Sequence, residues 1–115
     1  MTCLVFSVCD TAQAQVNKPV TVGFRNRTEV NVIVKGYTIV NGVQRAGPNL
    51  QIKKKDGIAF EFNVPPGIRF YTIYDANNPT RILLRDHPVP IQNRDLLLDI
   101  VPMPGSPDRV TLVLP

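Results

Sequence analysis

The sequence predicts an all-β fold, a single-domain antiparallel β-sandwich of immunoglobulin-like architecture with about eight strands, or alternatively a small β-barrel. Apolar and polar residues alternate in short segments, the period of strands with one buried face. Eleven prolines and seven glycines interrupt the chain so often that no helical pattern survives over the roughly ten residues a sizeable helix needs. Turn residues recur about every ten positions, as in sandwiches and barrels. With 115 residues, 43% hydrophobic and 19% charged, the composition is that of one globular domain. No uncharged apolar run approaches the roughly 18 to 20 residues of a membrane-spanning helix.

Residues 1–14 differ from the rest. Cys3-Leu4-Val5-Phe6-Ser7-Val8-Cys9 is a short apolar stretch, and Ala12-Gln13-Ala14 sets small residues where signal peptidase cuts. We read this as the back half of a secretory signal whose basic front half is missing, with the true start upstream. Sequencing that finds Met1 on mature secreted protein would refute this. The expected domain is then 15–115, secreted or periplasmic; the alternative is a cytoplasmic protein with an irregular N-terminus. Both cysteines precede the cut, so the mature chain has neither thiol nor disulfide. Cys9 is a poor lipid-attachment site, because Val8 is larger than such processing prefers.

Val20, Val22 and Phe24 share one face of a first strand, which turns at Asn26-Arg27-Thr28. That triplet also fits the N-glycosylation pattern, relevant only in a eukaryotic secretory pathway. Val30, Val32 and Val34 continue the alternation; after Gly36 the phase passes to Tyr37 and Ile39, which predicts a bulge. Asn41-Gly42 predicts a type I′ hairpin into a short strand at Val43 to Ala46. Leu50 to Lys53 precedes a turn at Lys55-Asp56-Gly57. Ile58, Phe60, Phe62 and Val64 then alternate with smaller or polar residues, and Pro65-Pro66-Gly67 reads as a hairpin loop into Ile68 to Tyr74. On that pairing Phe60 and Phe62 belong to the core, and replacing either by alanine costs roughly 3 to 5 kcal/mol. The opposite face carries Glu61, Arg69, Tyr71 and Ile73, and is apolar enough to want partial cover. Asp75 to Pro79 is a turn and Arg81 to Arg85 a strand. His87-Pro88-Val89-Pro90 must be an edge or crossover, because its prolines lack ladder donors. Leu96 to Val101 is a strand, Pro102 to Asp108 a loop, and Val110, Leu112 and Leu114 a last strand.

Catalytic chemistry finds little to use. Between residues 15 and 115 there is one serine, Ser106, and one histidine, His87, in no nucleophile pattern. No cysteine and histidine set at ligand spacing predicts zinc or copper, and no cofactor is expected. Asp75, Asn77 and Asn78 lack the spacing of a calcium loop and read as capping their own turn. His87 reads as a surface residue ahead of a proline turn. The net charge is +4, and the one basic cluster, Lys53-Lys54-Lys55, runs straight into Asp56-Gly57, so no specific nucleic-acid groove is expected.

The leading expectation is an exported, non-catalytic module that binds a cell-envelope protein or glycan through its loops or one sheet face. The interface-prone residues are Arg69, Tyr71, Tyr37 and Arg81. A second reading is a small enzyme, or an enzyme-associated subunit, using Asp75, Asp86, His87 or Asp99. A weaker third is an anionic polymer held by Lys53, Lys54 and Lys55.

Overall fold

The computed structural model describes residues 19–115, so the segment read as a signal lies outside the described residues. They form nine strands: β1 Val20–Asn26, β2 Val32–Val40, β3 Val43–Ala46, β4 Leu50–Ile52, β5 Gly57–Val64, β6 Gly67–Asp75, β7 Asn78–Ile91, β8 Leu96–Met103 and β9 Ser106–Val113. Two sheets pack as a β-sandwich. One has the order β5-β1-β8-β9; the other has the order β3-β2-β6-β7, with β4 also paired to β2. All pairings are antiparallel except β1 with β8. Among the described residues no helix is long and apolar enough to cross a membrane.

The alternation in the sequence becomes burial on one side of most strands, while the edge strand β3 is exposed along its whole length. Val20, Val22 and Phe24 of β1, Val32 and Val34 of β2, Ile73 of β6, Leu98 and Ile100 of β8, and Val110 and Leu112 of β9 fill the interior. Asn41 (φ 52°) and Gly42 (φ 77°) make the expected tight turn, with Val40 opposite Val43. Asn26, wholly buried, organises the β1–β2 connection: its Nδ2 donates to Val30 O and Ile52 O, and its Oδ1 accepts from Thr28 N and Oγ1. Both ends of the amide are occupied, so Asn26 is a turn-forming residue and not an accessible glycosylation acceptor.

Three expectations are corrected. First, β5 and β6 do not pair: β5 lies beside β1 in one sheet, and β6 between β2 and β7 in the other. Pro65 and Pro66 have no N–H to close a hairpin, and the chain crosses between the sheets there. The inward face of β5 is therefore Ala59 and Glu61, while Ile58, Phe60 and Phe62 stand 53, 49 and 66% exposed. Asn63, at φ 59°, shifts the phase so that Val64 turns back to the core. Secondly, no bulge occurs at Gly36: the β2–β6 register runs unbroken from Val32↔Asp75 to Thr38↔Arg69. The unbroken alternation places position 36 on the inward face with Val34 and Thr38, and a Cβ there would lie 2.5 Å from Tyr71 Cε1 and 2.9 Å from Arg69 Nε, so the position suits glycine for reasons of space. Thirdly, the stretch from Pro102 to Asp108 is a tight turn at Pro104-Gly105 (Gly105 φ 77°) rather than a loop, and Leu114 lies exposed beyond β9.

Candidate functional site

The outer surface of the five-stranded sheet carries a polar groove of about 320 Å³, bounded by Lys35, Tyr37, Gln44, Asn49, Tyr74 and Asp86. Its floor follows from strand geometry. Lys35 and Tyr37 of β2 are two apart and share the outward face, as do Phe70, Thr72 and Tyr74 of β6. The register sets Lys35 opposite Thr72 and Tyr37 opposite Phe70. Tyr37 stacks on Phe70 with centroids 5.3 Å apart and planes at 23°, and Lys35 Nζ sits 5.0 Å from the centre of the Tyr74 ring.

Asp86 closes the groove from β7. Tyr71 pairs with His87 and Ile73 with Leu84, so β7 spends one more residue than β6 between these rungs, which is a bulge. Asp86 occupies it at φ 47°, a left-handed conformation costly for most side chains and tolerated by aspartate. The bulge brings its carboxylate over Thr72: Tyr37 Oη and Thr72 Oγ1 each donate to Oδ1 at 3.2 Å, and Asp86 N donates to Thr72 Oγ1 at 3.0 Å. Both side-chain donors fall on Oδ1, which leaves Oδ2 without a donor among the described residues. Partial burial and the Asp86 hydrogen bond raise the Tyr37 phenol above its ordinary range, so it remains a hydroxyl at neutral pH. The groove thus presents aromatic surface, an ammonium, a carboxylate and two side-chain amides within one shallow depression.

Of the residues expected at an interface, Tyr37 alone lies in this groove. Arg69 and Tyr71 are 4 and 0% exposed and point between the sheets, where they hold Glu61, so neither serves as a surface anchor. Their strand turns these positions inward because β6 is a central strand covered by the opposite sheet. Arg81 bridges Asp75 Oδ2 (3.1 Å) and Asp108 Oδ1 (2.9 Å). Lys53, Lys54 and Lys55 are exposed in the turn between β4 and β5; Lys54 N donates to Asn31 Oδ1, and Lys55 Nζ lies 4.0 Å from Glu29. Lys35, Thr72, Tyr74, Gln44 and Asn49 escaped the sequence reading. The i, i+2 spacing of Lys35 with Tyr37 and of Thr72 with Tyr74 was the available signal, but which strands neighbour one another was not.

The residues of the enzyme reading are dispersed. Asp75 caps its own turn, accepting Asn77 N at 2.9 Å, and pairs with Arg81. Asp99, on β8, accepts two 2.9 Å bonds from Arg25, which hold its carboxyl below the usual range against the opposing effect of burial. His87 lines a different cleft of about 590 Å³ between β7 and β8–β9, walled by Val89, Leu96, Leu98 and Leu112. Among the described residues no three of His, Cys, Asp and Glu gather as metal ligands.

No family model matches the chain, and no curated protein matches it. Among solved structures it is similar to one described as the NMR structure of the protein from Eubacterium rectale, with 13% identity and a TM-score of 0.52. The alignment covers 85% of this chain and 89% of that one, and a likeness at this identity speaks for the fold alone.

Proposed function

We propose that the protein is a non-catalytic β-sandwich module that binds a glycan of the cell envelope in the groove over Tyr37 and Tyr74. The supporting observation is the bulge that carries Asp86, at positive φ, onto a surface already holding two tyrosines, a lysine and two side-chain amides. A pyranose has an apolar C–H face and a rim of hydroxyls. Tyrosine rings match the first through the negative potential of their faces, and Asp86 Oδ2, Gln44, Asn49 and Lys35 match the second as acceptors and donors. Export, argued from Ala12-Gln13-Ala14, is part of the same reading.

The test is NMR titration of the labelled protein with soluble oligosaccharides of bacterial envelopes. Shift changes should concentrate at Tyr37, Thr72, Tyr74 and Asp86, and Asp86→Ala or Tyr37→Ala should weaken binding by about tenfold or more, some 1.4 kcal/mol. If those four residues stay unmoved across the panel, the reading fails.

A further inference from the structure

The displaced phenylalanines lie on β5, which among the described residues is an edge strand with neither proline nor an outward-facing charge to oppose strand pairing, its bulge at Asn63 lying past Phe62. Strands at sheet edges are ordinarily blunted by proline, charge or brevity. In the five-stranded sheet β7 contains Pro79, Pro88 and Pro90, β3 has four residues including Arg45, and β4 has three. In the other sheet β9 carries Pro107, Asp108 and Arg109. The eight-residue β5 has no proline, and its single charge, Glu61, is turned inward and neutralised by Arg69.

The outward face of β5 continues into an apolar surface. Gly23 of β1 lies opposite both Phe60 and Leu97, and a Cβ at Gly23 would meet Phe60 Cε1 at 2.9 Å and Leu97 Cδ1 at 3.1 Å. The glycine thus lets the Phe60 ring lie across β1 towards Leu97, itself 38% exposed. Phe62 extends the surface, its ring centre 6.2 Å from that of Phe60. An edge stretch free of proline and outward charge, joined to an exposed apolar face, suits a strand that is apolar on the same side.

We propose that this strand is β5 of a second copy, paired antiparallel about a two-fold axis at Phe60. The sequence Ile58-Ala59-Phe60-Glu61-Phe62 is self-complementary in that register. Phe60 meets Phe60 of the second copy, Ile58 meets its Phe62, and Ala59 meets its Glu61. All the large apolar side chains then fall on one face, and no like charges stand opposite each other. A register centred on Glu61 would oppose two carboxylates and is disfavoured. The dimer joins two four-stranded sheets into one continuous sheet and merges the two apolar surfaces. This interface shares no residue with the glycan groove, so the two proposals stand or fall separately.

Sedimentation equilibrium of the full chain should give a monomer–dimer equilibrium. Phe60→Lys, which sets two ammonium groups against each other on the axis, should weaken it by about tenfold or more with an unchanged circular dichroism spectrum. In a Cys3→Ser, Cys9→Ser background, Phe60→Cys should form a disulfide-linked dimer with oxidised glutathione, whereas Thr111→Cys, on β9, should not. A chain that stays monomeric at every concentration overturns the proposal. So does a dimer untouched by Phe60→Lys, or equal cross-linking at both cysteines; an unrelated extended peptide occupying β5 in place of a second copy does so too.

Discussion

Glu61 and Arg69 reach towards each other across the interior, one from each sheet, and form a two-pronged ion pair. Arg69 Nη2 donates to Glu61 Oε2 at 2.6 Å and Nε to Oε1 at 3.1 Å, with the side chains 5 and 2% exposed. Arg69 also donates to Thr38 Oγ1 and Gly36 O, and Tyr71 Oη donates to Glu61 Oε1 at 2.9 Å. The network is well satisfied, as buried charges require.

Breaking the pair from one side strands a buried charge. Glu61→Ala or Arg69→Ala should each cost about 3 to 5 kcal/mol, while replacing both by apolar residues of similar volume, Glu61→Leu with Arg69→Met, should recover most of the loss. Urea denaturation of the single and double variants measures the difference. Additive losses in the double variant would show that packing volume, not the uncompensated charge, carries the effect.

Tyr71 makes stability depend on pH at the alkaline end. Burial, and then the adjacent Glu61 carboxylate, push its phenol well above the ordinary value, and Arg69 offsets only part of this. The unfolded chain therefore loses this proton first. The contribution of Tyr71 is complete below about pH 10, the ordinary tyrosine value, and drains away as the pH rises beyond it. Tyr71→Phe should lower stability at pH 7 by about 1 to 2 kcal/mol and flatten the decline above pH 10. Urea midpoints measured from pH 7 to 11 check both signs.

Phe62 gives the sharpest contrast between pattern and structure. Because its side chain is 66% exposed, Phe62→Ala should change the stability of dilute, monomeric protein by no more than about 0.5 kcal/mol. Phe24→Ala, by comparison, should cost about 3 to 5 kcal/mol, since Phe24 is fully buried with its ring edge-on to Tyr71 at 4.9 Å. Thermal melts at low protein concentration separate the two.

The same strand explains how far the sequence was legible. Alternation located all of β1, the Asn41-Gly42 hairpin and the edge position of the proline-rich β7, since each depends on local backbone chemistry. Period-two patterning also found both faces of β6 and those of β5 as far as Phe62, though not the shift at Asn63 that returns Val64 to the core, and even grouped Glu61 with Tyr71 on one of them. It chose the wrong face as core because two phenylalanines outweigh a glutamate on any hydropathy count. Only the remote Arg69, brought across from the other sheet, makes burial of Glu61 affordable. The groove was hidden for a related reason: Asp86 joins Tyr37 and Thr72 through a one-residue bulge, and no local signal marks where a ladder slips.

Gly36 tests whether the interior tolerates any change in this arrangement. Its φ is not in the left-handed region, so alanine there meets no backbone penalty and the cost is one of space alone. The added methyl would have to displace the Tyr71 ring and the Arg69 guanidinium, whose positions are fixed by Glu61. Overpacking of this kind costs about 1 to 3 kcal/mol. The two effects are not independent, because the side chain that must move is the one holding the ion pair. Tyr71→Phe with Gly36→Ala should therefore cost less than the sum of the single changes, since a phenyl ring released from Glu61 is free to shift. A double-mutant cycle in urea reads this coupling directly, and strict additivity would mean that the methyl is accommodated by backbone movement in β2 instead.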